Sequence, residues 1–364
     1  MKTLQRKGKG FKGFTIGLDL HQSFIQVVVL DKKGDDAAGL RIGSKGSQKE
    51  ALEKLLLEWK AKGDVQVVFE ACGCFLWVFD LAVRVLGRKQ VHAAHAAKIH
   101  MIANSGEKND HNDAWWLAYL LYERRLPEAF VAEGELMELR IAGRELRSYT
   151  DMRSDLVRRV RSSLAQLGEK LPKGWHTSKL KRATAKALID TIAGGRGDAL
   201  RDLYAMIESM SAVISKWHAT VKKLCEAFPE VLAIMQEMPG MKAIVGGLIY
   251  GELASPTRFH SAKAYAKATG LTPSYRESGG KSQAVTISRQ GSRLARWAFT
   301  RAVQGCLRCL KGPGAQVKKW VAKQMKHQKI KKKVIVAAAR KLAEGVWRLV
   351  HNGETFDLKR AFPA

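Results

Sequence analysis

FTIGLDLHQSFIQVVVLD, residues 14–31, is the stretch that decides the fold of the N-terminal region. Its alternation of apolar and polar positions and its β-branched side chains predict two strands around a turn at His21 to Ser23. Residues 48–60, QKEALEKLLLEWK, predict an amphipathic helix, and residues 64–70, DVQVVFE, predict a short buried strand. The order of strand, strand, helix and strand predicts a mixed α/β sheet with helices packed against it.

The middle of the chain predicts long helices. Residues 110–125, DHNDAWWLAYLLYERR, predict a helix that begins near Asp110, and beyond Pro127 two heptad seams follow. The apolar positions of the seams are Leu139, Leu146, Tyr149, Leu156, Val160 and Leu167, and then Leu203, Ile207, Met210, Ile214, Trp217, Val221, Leu224 and Phe228. A Gly- and Lys-rich stretch, residues 168–198, separates them. The simplest prediction is an antiparallel helical hairpin, or a coiled coil used for oligomerisation, with no catalytic role.

Residues 238–253, MPGMKAIVGGLIYGEL, predict a helix, a Gly turn and a second helix. Two interpretations of the turn are open. Glycine permits a close approach to a DNA backbone, and the following helix N-terminus favours an anion. Alternatively, the glycine forms a tight turn between two core helices.

The charge balance is the strongest signal in the composition. The chain has 364 residues, enough for two or three domains, and 63 Lys+Arg against 34 Asp+Glu give a formal net charge of +29. A chain this basic usually binds a polyanion, with nucleic acid as the default. Residues 278–343 contain 17 basic residues and no Asp or Glu, which favours nucleic-acid contact over an ordinary solvated face. No apolar run is long enough to span a bilayer, so we expect no membrane partner.

Four carboxylates in apolar surroundings form the candidate chemical site. Asp19 lies in the first predicted strand, and Glu70 ends the short buried strand predicted at residues 64–70. Asp110 and Asp113 are three residues apart on one helical face. Asp19 could instead cap a turn, and Asp110 or Asp113 could cap the helix. An uncompensated buried charge at Glu70 would be costly, so a purely structural role is less natural there. Together the four predict a divalent-metal site, because Mg²⁺ takes oxygen ligands from carboxylates and phosphates.

A serine in a basic neighbourhood is the second candidate. Ser278 precedes Gly279 and Gly280, which would present its hydroxyl on an open turn. Cationic neighbours would hold a phosphate and stabilise charge at phosphorus. These neighbours are Arg276, Lys281, Arg289, Arg293 and Arg296. By itself, Ser-Gly-Gly is also a common loop sequence, and no histidine is adjacent to act as a base.

Several separated motifs, in order, resemble the transposases of the insertion-sequence family called "one-ten", which includes pilin-gene inverting recombinases and RNA-guided bridge recombinases. The motifs are IGLDLH with Asp19, FEACG with Glu70, KNDHNDA with Asp110 and Asp113, MPGMKAIVGGLIYGEL, SAKAYAKATGLTPSYRESGGK with Ser278, and ISRQGSRLARWAF. The resemblance covers nearly the whole chain. It implies a RuvC-like, RNase H-like catalytic domain at residues 1–130, a coiled-coil region at residues 131–230, and a mainly α C-terminal transposase domain at residues 231–364.

The resemblance also implies a chemistry. Asp19, Glu70, Asp110 and Asp113 would hold Mg²⁺, with Mn²⁺ as an alternative. Ser278 would attack DNA, form a covalent phosphoserine link and so support strand exchange. The acidic site of one subunit would meet the serine of another in a homodimer or homotetramer. A structured non-coding guide RNA would select donor and target DNA by base pairing, while the protein reads shape and backbone.

Two other functions fit part of the pattern. A RuvC-like nuclease or Holliday-junction resolvase would need only the carboxylates and a metal-activated water. A non-catalytic nucleic-acid-binding or assembly protein would need only the charge and the heptads.

The five cysteines, an odd number in a long chain, indicate a reducing cytosol, so we expect a cytoplasmic, nucleoid-associated protein of a bacterium or archaeon. The spacing of Cys72, Cys74, Cys306 and Cys309 favours buried thiols over a zinc site. His92, His95 and His100 are predicted on one helical face, as surface or RNA-contacting residues rather than metal ligands.

Overall fold

The computed structural model describes residues 10–43, 47–73, 75–96, 98–99, 109–278, 281–288, 290–328 and 330–363, and it describes the backbone alone for residues 274–278 and 281–286. The chain divides into two compact units, residues 1–131 and residues 132–364. The boundary predicted at residue 230 falls inside the second unit and stays a prediction.

The first unit is built on a mixed five-stranded sheet. In chain order its strands are β1 (Phe14–Leu20), β2 (Ile25–Leu30), β3 (Asp36–Ile42), β4 (Val65–Glu70) and β5 (Val91–Ala94). They lie in the order β3-β2-β1-β4-β5. β2 is antiparallel to both β1 and β3, whereas β4 is parallel to both β1 and β5. The strands predicted in residues 14–31 and 64–70 are confirmed, and β3 and β5 are additions that the sequence pattern did not predict.

The helical face predicted for the histidines near residue 92 is wrong. His92 lies in β5, where it pairs with Val68 of β4, and its ring Nδ1 is 2.8 Å from Glu128 Oε1. His95 follows the strand, and His100 lies outside the described residues. The three-residue histidine spacing resembles a helix period, but Val91–Ala94, which includes His92, pairs with β4 as a strand.

Helices cover both faces of the sheet. On one face lie α1 (Gln48–Lys62) and α2 (Leu76–Leu86), with the ring of Phe14 4.9 Å from that of Trp59. The opposite face is covered by α3 (Asp110–Tyr122), which packs against Val28 and Leu30 of β2. The predicted helices at residues 48–60 and 110–125 are therefore confirmed, with ends shifted by a few residues.

A glycine of β1 lies where α3 packs on the sheet. A Cβ built on Gly17 of β1 would lie 2.0 Å from the carbonyl oxygen of Ala114 and 2.9 Å from the amide nitrogen of Ala118. Real Cβ atoms do not approach backbone atoms this closely, so only glycine allows α3 to lie where it does.

In the second unit, α4 (Gly134–Gln166), α5 (Lys179–Asp190) and α6 (Gly194–Cys225) follow one another. α4 and α6 run antiparallel, since Leu139 shares a cluster with Val221 near one end and Leu164 shares a cluster with Leu200 near the other. The two heptad seams thus face each other, and the predicted helical hairpin is confirmed. Within the Gly- and Lys-rich stretch between them, α5 packs on the hairpin through Ala185 and Ile189.

The rest of the second unit is a helical core with one β-hairpin. Its elements are α7 (Pro229–Glu237), α8 (Ala243–Leu253), α9 (Ala262–Ala268), β6 (Pro273–Ser278), β7 (Lys281–Ile287), α10 (Arg293–Cys306), α11 (Gly312–His327), α12 (Lys331–Asn352) and α13 (Leu358–Ala361). Tyr265, Phe299 and Leu342 are fully buried at its centre. Of the helices in the described ranges, none combines the length and the apolar character needed to cross a bilayer.

The predicted helix, Gly turn and helix of residues 238–253 is present as the end of α7, a turn and α8. Gly240 has φ +75°, and a Cβ there would lie 2.3 Å from the carbonyl oxygen of Ala302 in α10. The glycine is therefore required by a tight turn against a neighbouring helix. This favours the second interpretation of the turn, in which it belongs to the core, over a contact with DNA.

We predict that Gly17→Ala destabilises the first unit, because the added methyl group forces α3 away from β1. The free energy of unfolding should fall by about 1–3 kcal/mol, the usual range for overpacking a core. Gly43→Ala is the matched control, since a Cβ at Gly43 has no heavy atom within 4 Å. Denaturant unfolding measures both variants, and equal stability of the two would contradict the packing argument.

Candidate metal centre

The parallel pairing of β1 and β4 brings Asp19 and Glu70 to one edge of the sheet. Leu18 pairs with Phe69, and Asp19 and Glu70 are the next residue on each strand. Side chains alternate between faces, so Asp19 points to the same face as Gly17, and Glu70 to the same face as Val68. Both of these neighbours contact α3. Asp19 and Glu70 therefore lie at adjacent strand ends on the α3 face.

The N-terminus of α3 carries the other two carboxylates. The side chain of Asn109 accepts a hydrogen bond from the amide of His111 and so caps the helix, with Asp110 and Asp113 in its first turn. A capping role for either aspartate is therefore wrong. Acidic side chains in the first turn interact favourably with the positive end of the helix dipole.

Asp19 and Asp110 converge on one histidine. His21 Nε2 lies 2.9 Å from Asp19 Oδ2 and 3.7 Å from Asp110 Oδ1. Arg41 Nη2 lies 3.6 Å from the other carboxylate oxygen of Asp110. The Asp19 side chain is 19% exposed and that of Asp110 is 46% exposed, so the cluster is open to solvent on one side.

Asp113 belongs to the same cluster, because its charge acts on the pKa of Asp19. Burial raises the pKa of Asp19 above its ordinary value, and the hydrogen bond and the charge of His21 oppose this rise. The negative charges of Asp113 and Asp110 raise the pKa further. Three carboxylates thus repel one another at one place, and a cation bound among them would relieve the repulsion.

The residues fit a divalent metal ion. One ligand atom from each of Asp19, His21 and Asp110 lies within 4.8 Å of the others, and in the described part of the chain only this group has that arrangement. Carboxylate oxygens suit hard ions such as Mg²⁺, and imidazole nitrogen suits transition metals better. The donor set therefore supports a divalent ion held mainly by oxygen.

His21, Phe24 and Arg41 belong to the candidate site, and the sequence pattern did not predict them. The ring of His21 stacks on that of Phe24 at 4.3 Å, and the guanidinium carbon of Arg41 lies 3.4 Å from the centre of the same ring. Phe24 thereby contacts both of the side chains that approach the carboxylates. Only the position of His21, two residues after Asp19, was a usable signal, because Arg41 lies on the unpredicted strand β3.

The predicted serine site lies in the second unit. Ser278 is the last residue of β6 and pairs with Lys281 of β7, so Ser278 stands at the end of a β-hairpin. Arg276 lies in β6, and Arg293 and Arg296 lie in α10, which starts after the hairpin. Arg296 donates to the carbonyl oxygen of Thr269, while Arg293 is exposed. Arg289 lies outside the described residues, as do the side chains of Arg276, Ser278 and Lys281.

Fold and site together define a mixed α/β unit with a candidate divalent-metal centre, joined to a helical unit. Two family models match this chain. One, named DEDD_Tnp_IS110 and described as "Transposase", matches residues 16–168, which include all four carboxylates. The other, described as "Transposase IS116/IS110/IS902 family", matches residues 232–319, which include Ser278. The chain belongs to the IS110/IS116/IS902 family of insertion-sequence transposases.

Two curated proteins are similar to the chain. It is 26% identical over 161 residues to a protein of Sinorhizobium fredii (strain NBRC 101917 / NGR234) named as a transposase, y4pF/y4sB, over 44% of this chain and 39% of that protein. It is also 26% identical over 121 residues to the "Transposase for insertion sequence element IS1328" of Yersinia enterocolitica, over 33% of this chain and 35% of that protein. The matched stretch thus spans well under half the length of either relative.

We predict that Mn²⁺, used as a probe for the site, stabilises the first unit through Asp19. An ion that binds only the folded state at one hundred times its dissociation constant adds about 2.7 kcal/mol. Thermal unfolding with increasing Mn²⁺ should therefore show a rising transition temperature in the wild type and little rise in Asp19→Asn. Asp80→Asn is the control, since Asp80 is an exposed carboxylate on α2. An equal response of Asp19→Asn and the wild type would contradict the site.

Proposed function

We propose that the protein is the DNA transposase of an insertion sequence, which cuts and rejoins DNA through a covalent phosphoserine intermediate with the help of a divalent metal ion. The observation that carries the proposal is the convergence of Asp19, His21 and Asp110 beside Asp113 at the N-terminus of α3. Glu70 lies at the adjacent strand end on the same face. Membership of the insertion-sequence family supplies DNA as the substrate class.

In this proposal the first unit is a RuvC-like, RNase H-like domain, and its mixed sheet with helices on both faces is consistent with that class. Asp19, Glu70, Asp110 and Asp113 hold Mg²⁺ or Mn²⁺. The bound ion supplies positive charge to the oxygens of the scissile phosphodiester. The four side chains would position the ion. The positive N-terminal end of the α3 dipole lies next to Asp110 and Asp113 and stabilises their negative charges.

Ser278 is the proposed nucleophile. Its hydroxyl oxygen bonds to phosphorus while the bond from phosphorus to one deoxyribose oxygen breaks; the serine loses its proton and the departing oxygen gains one. The number of phosphoester bonds stays constant, so no energy source is needed for rejoining. A deoxyribose hydroxyl of another strand then attacks the phosphoserine, which restores Ser278 and joins the exchanged strands.

The second unit offers the nucleic-acid surface. Residues 278–343 contain no Asp or Glu, and Lys319, Lys323 and Lys326 line up along the exposed side of α11. A surface with only positive charges binds nucleic acid more tightly, because binding releases counterions from the phosphate backbone. In the proposal, Arg276, Lys281, Arg289, Arg293 and Arg296 hold the phosphates next to Ser278.

The resemblance adds the remaining parts of the proposal. A structured guide RNA from the element selects donor and target DNA, and residues 131–230 act as the coiled-coil region of a homodimer or homotetramer. The C-terminal transposase domain then begins at residue 231. The acidic site of one subunit acts together with Ser278 of another.

We predict that Ser278→Ala abolishes the covalent protein–DNA adduct. The protein is incubated with Mg²⁺, RNA from the flank of the element and DNA carrying the element end, and the adduct is detected by denaturing electrophoresis. Ser282→Ala is the matched control, because Ser282 lies on the same hairpin and pairs with Glu277. Its adduct should equal that of the wild type.

Three results would overturn this mechanism. Adduct and recombination that persist in Ser278→Ala would remove the serine from the chemistry. Cleavage to free ends without any adduct, unaffected by Ser278→Ala but lost in Asp19→Asn, would indicate the nuclease or junction resolvase that uses activated water. Intact binding with no cleavage in the wild type would indicate a binding protein only.

A mixing experiment tests whether the site is shared between subunits. Asp19→Asn and Ser278→Ala are each expected to form no adduct alone. If each site combines carboxylates of one subunit with the serine of another, random pairing in dimers restores roughly a quarter of the wild-type adduct. No restoration after the two proteins are mixed and refolded together would place both halves of the site in one subunit.

A further inference from the structure

A polar layer interrupts the core of the α4–α6 hairpin. The apolar cluster around Leu139 and Val221 ends before it, and the cluster around Val160 and Ile207 begins after it. At the break, the Arg153 side chain donates to Ser211 Oγ at 3.2 Å, and Ser211 is nearly fully buried. A cation thus stands in a seam whose flanking positions are apolar, which is costly unless the charge is paired and hydrogen-bonded.

Further cations lie near Arg153. Arg182 of α5 donates to the carbonyl oxygen of His176, which lies in the connection from α4, three residues before α5 begins. Burial lowers the pKa of His176, and the positive charges of Arg153, Arg161 and Arg182 lower it further. The three guanidinium groups are thus close enough to act on one imidazole. We call Arg153, Arg161, His176 and Arg182 the hairpin cluster.

The hairpin cluster is not neutralised within the described part of the chain. Glu208 lies 3.6 Å from Arg182 Nε and is the one carboxylate paired with a member of the cluster there. Arg182 Nε and His176 Nδ1 have no hydrogen-bond partner, and no ion pair joins the exposed Arg161 to a described carboxylate. Neighbouring charges of one sign raise the energy of the folded state, and a bound anion would lower it.

We infer that the hairpin cluster is a second nucleic-acid contact, separate from the basic surface of residues 278–343, and that it binds the phosphodiester backbone. Planar guanidinium groups suit phosphate oxygens, which they bind with two parallel hydrogen bonds. Arg161 presents its charge to solvent, and Arg153 and Arg182 are held in place by Ser211 and by the His176 carbonyl. The inference rests on the proposed function only for the class of ligand, a nucleic acid.

The test measures binding of the full-length protein to two probes, a short random-sequence DNA duplex and a single-hairpin RNA of the same length. Arg161→Glu is the variant, because the exposed side chain can be changed without disturbing the seam. Arg159→Glu is the matched control: it makes the same charge change on an exposed face of α4 two residues away, and Arg159 is not among the charges that act on His176. Arg161→Gln checks that loss of the cation alone has an effect.

Arg161→Glu should weaken binding roughly tenfold at moderate salt and reduce the salt dependence by about one phosphate contact. Arg161→Gln should show a smaller loss in the same direction, and Arg159→Glu should bind like the wild type. If affinity falls only for the RNA probe, the bound backbone is that of RNA, and if it falls only for the duplex, the bound backbone is that of DNA. Equal affinities of Arg161→Glu and Arg159→Glu for both probes would overturn the inference. Neither variant touches Ser278 or the carboxylates, so this failure is distinct from a failed adduct assay.

Discussion

The candidate site depends on a backbone-to-backbone contact between α3 and β1. Gly17 lacks the Cβ that would lie 2.0 Å from the carbonyl oxygen of Ala114, so the helix can rest directly on the strand. Asp19 follows Gly17 by two residues and therefore points to the same face. The same helix carries Asp110 and Asp113 in its first turn. A side chain at residue 17 would separate the carboxylates by lifting the helix that holds two of them.

The sequence could predict elements whose residues carry a clear local pattern. β1, β2 and β4 are short runs rich in apolar and β-branched residues, and the α4–α6 hairpin has heptad steps. β3 could not be predicted, because its residues DAAGLRI are mostly exposed and weakly β-forming. The β6–β7 hairpin could not be predicted either, because the Ser-Gly-Gly sequence that begins at Ser278 is typical of loops in general. Tertiary pairing, rather than local preference, makes these segments strands.

The same limit applies to the site. Asp19, Glu70, Asp110 and Asp113 could be selected as candidates from their positions at strand ends and on one helical turn, which are local features. The positions of His21 and Arg41 beside these carboxylates could not be predicted, because they depend on distances between groups far apart in the chain, such as the 3.6 Å from Arg41 to Asp110. Alternation within a strand fixes the face of a side chain, but only the strand order fixes its neighbours.

The polar layer of the hairpin bears on the register in which α4 packs against α6. Two wholly apolar seams could slide by one heptad at a lower cost than seams with a polar pair, since each register would bury apolar groups. Arg153 and Ser211 pair in one register alone, because a slip would leave the guanidinium facing apolar side chains. α5 uses this fixed register: Arg182 and the buried Ile189 both pack where the hairpin core resumes beyond the layer. The layer therefore reduces the stability of the hairpin while it specifies where α5 and its cations are held.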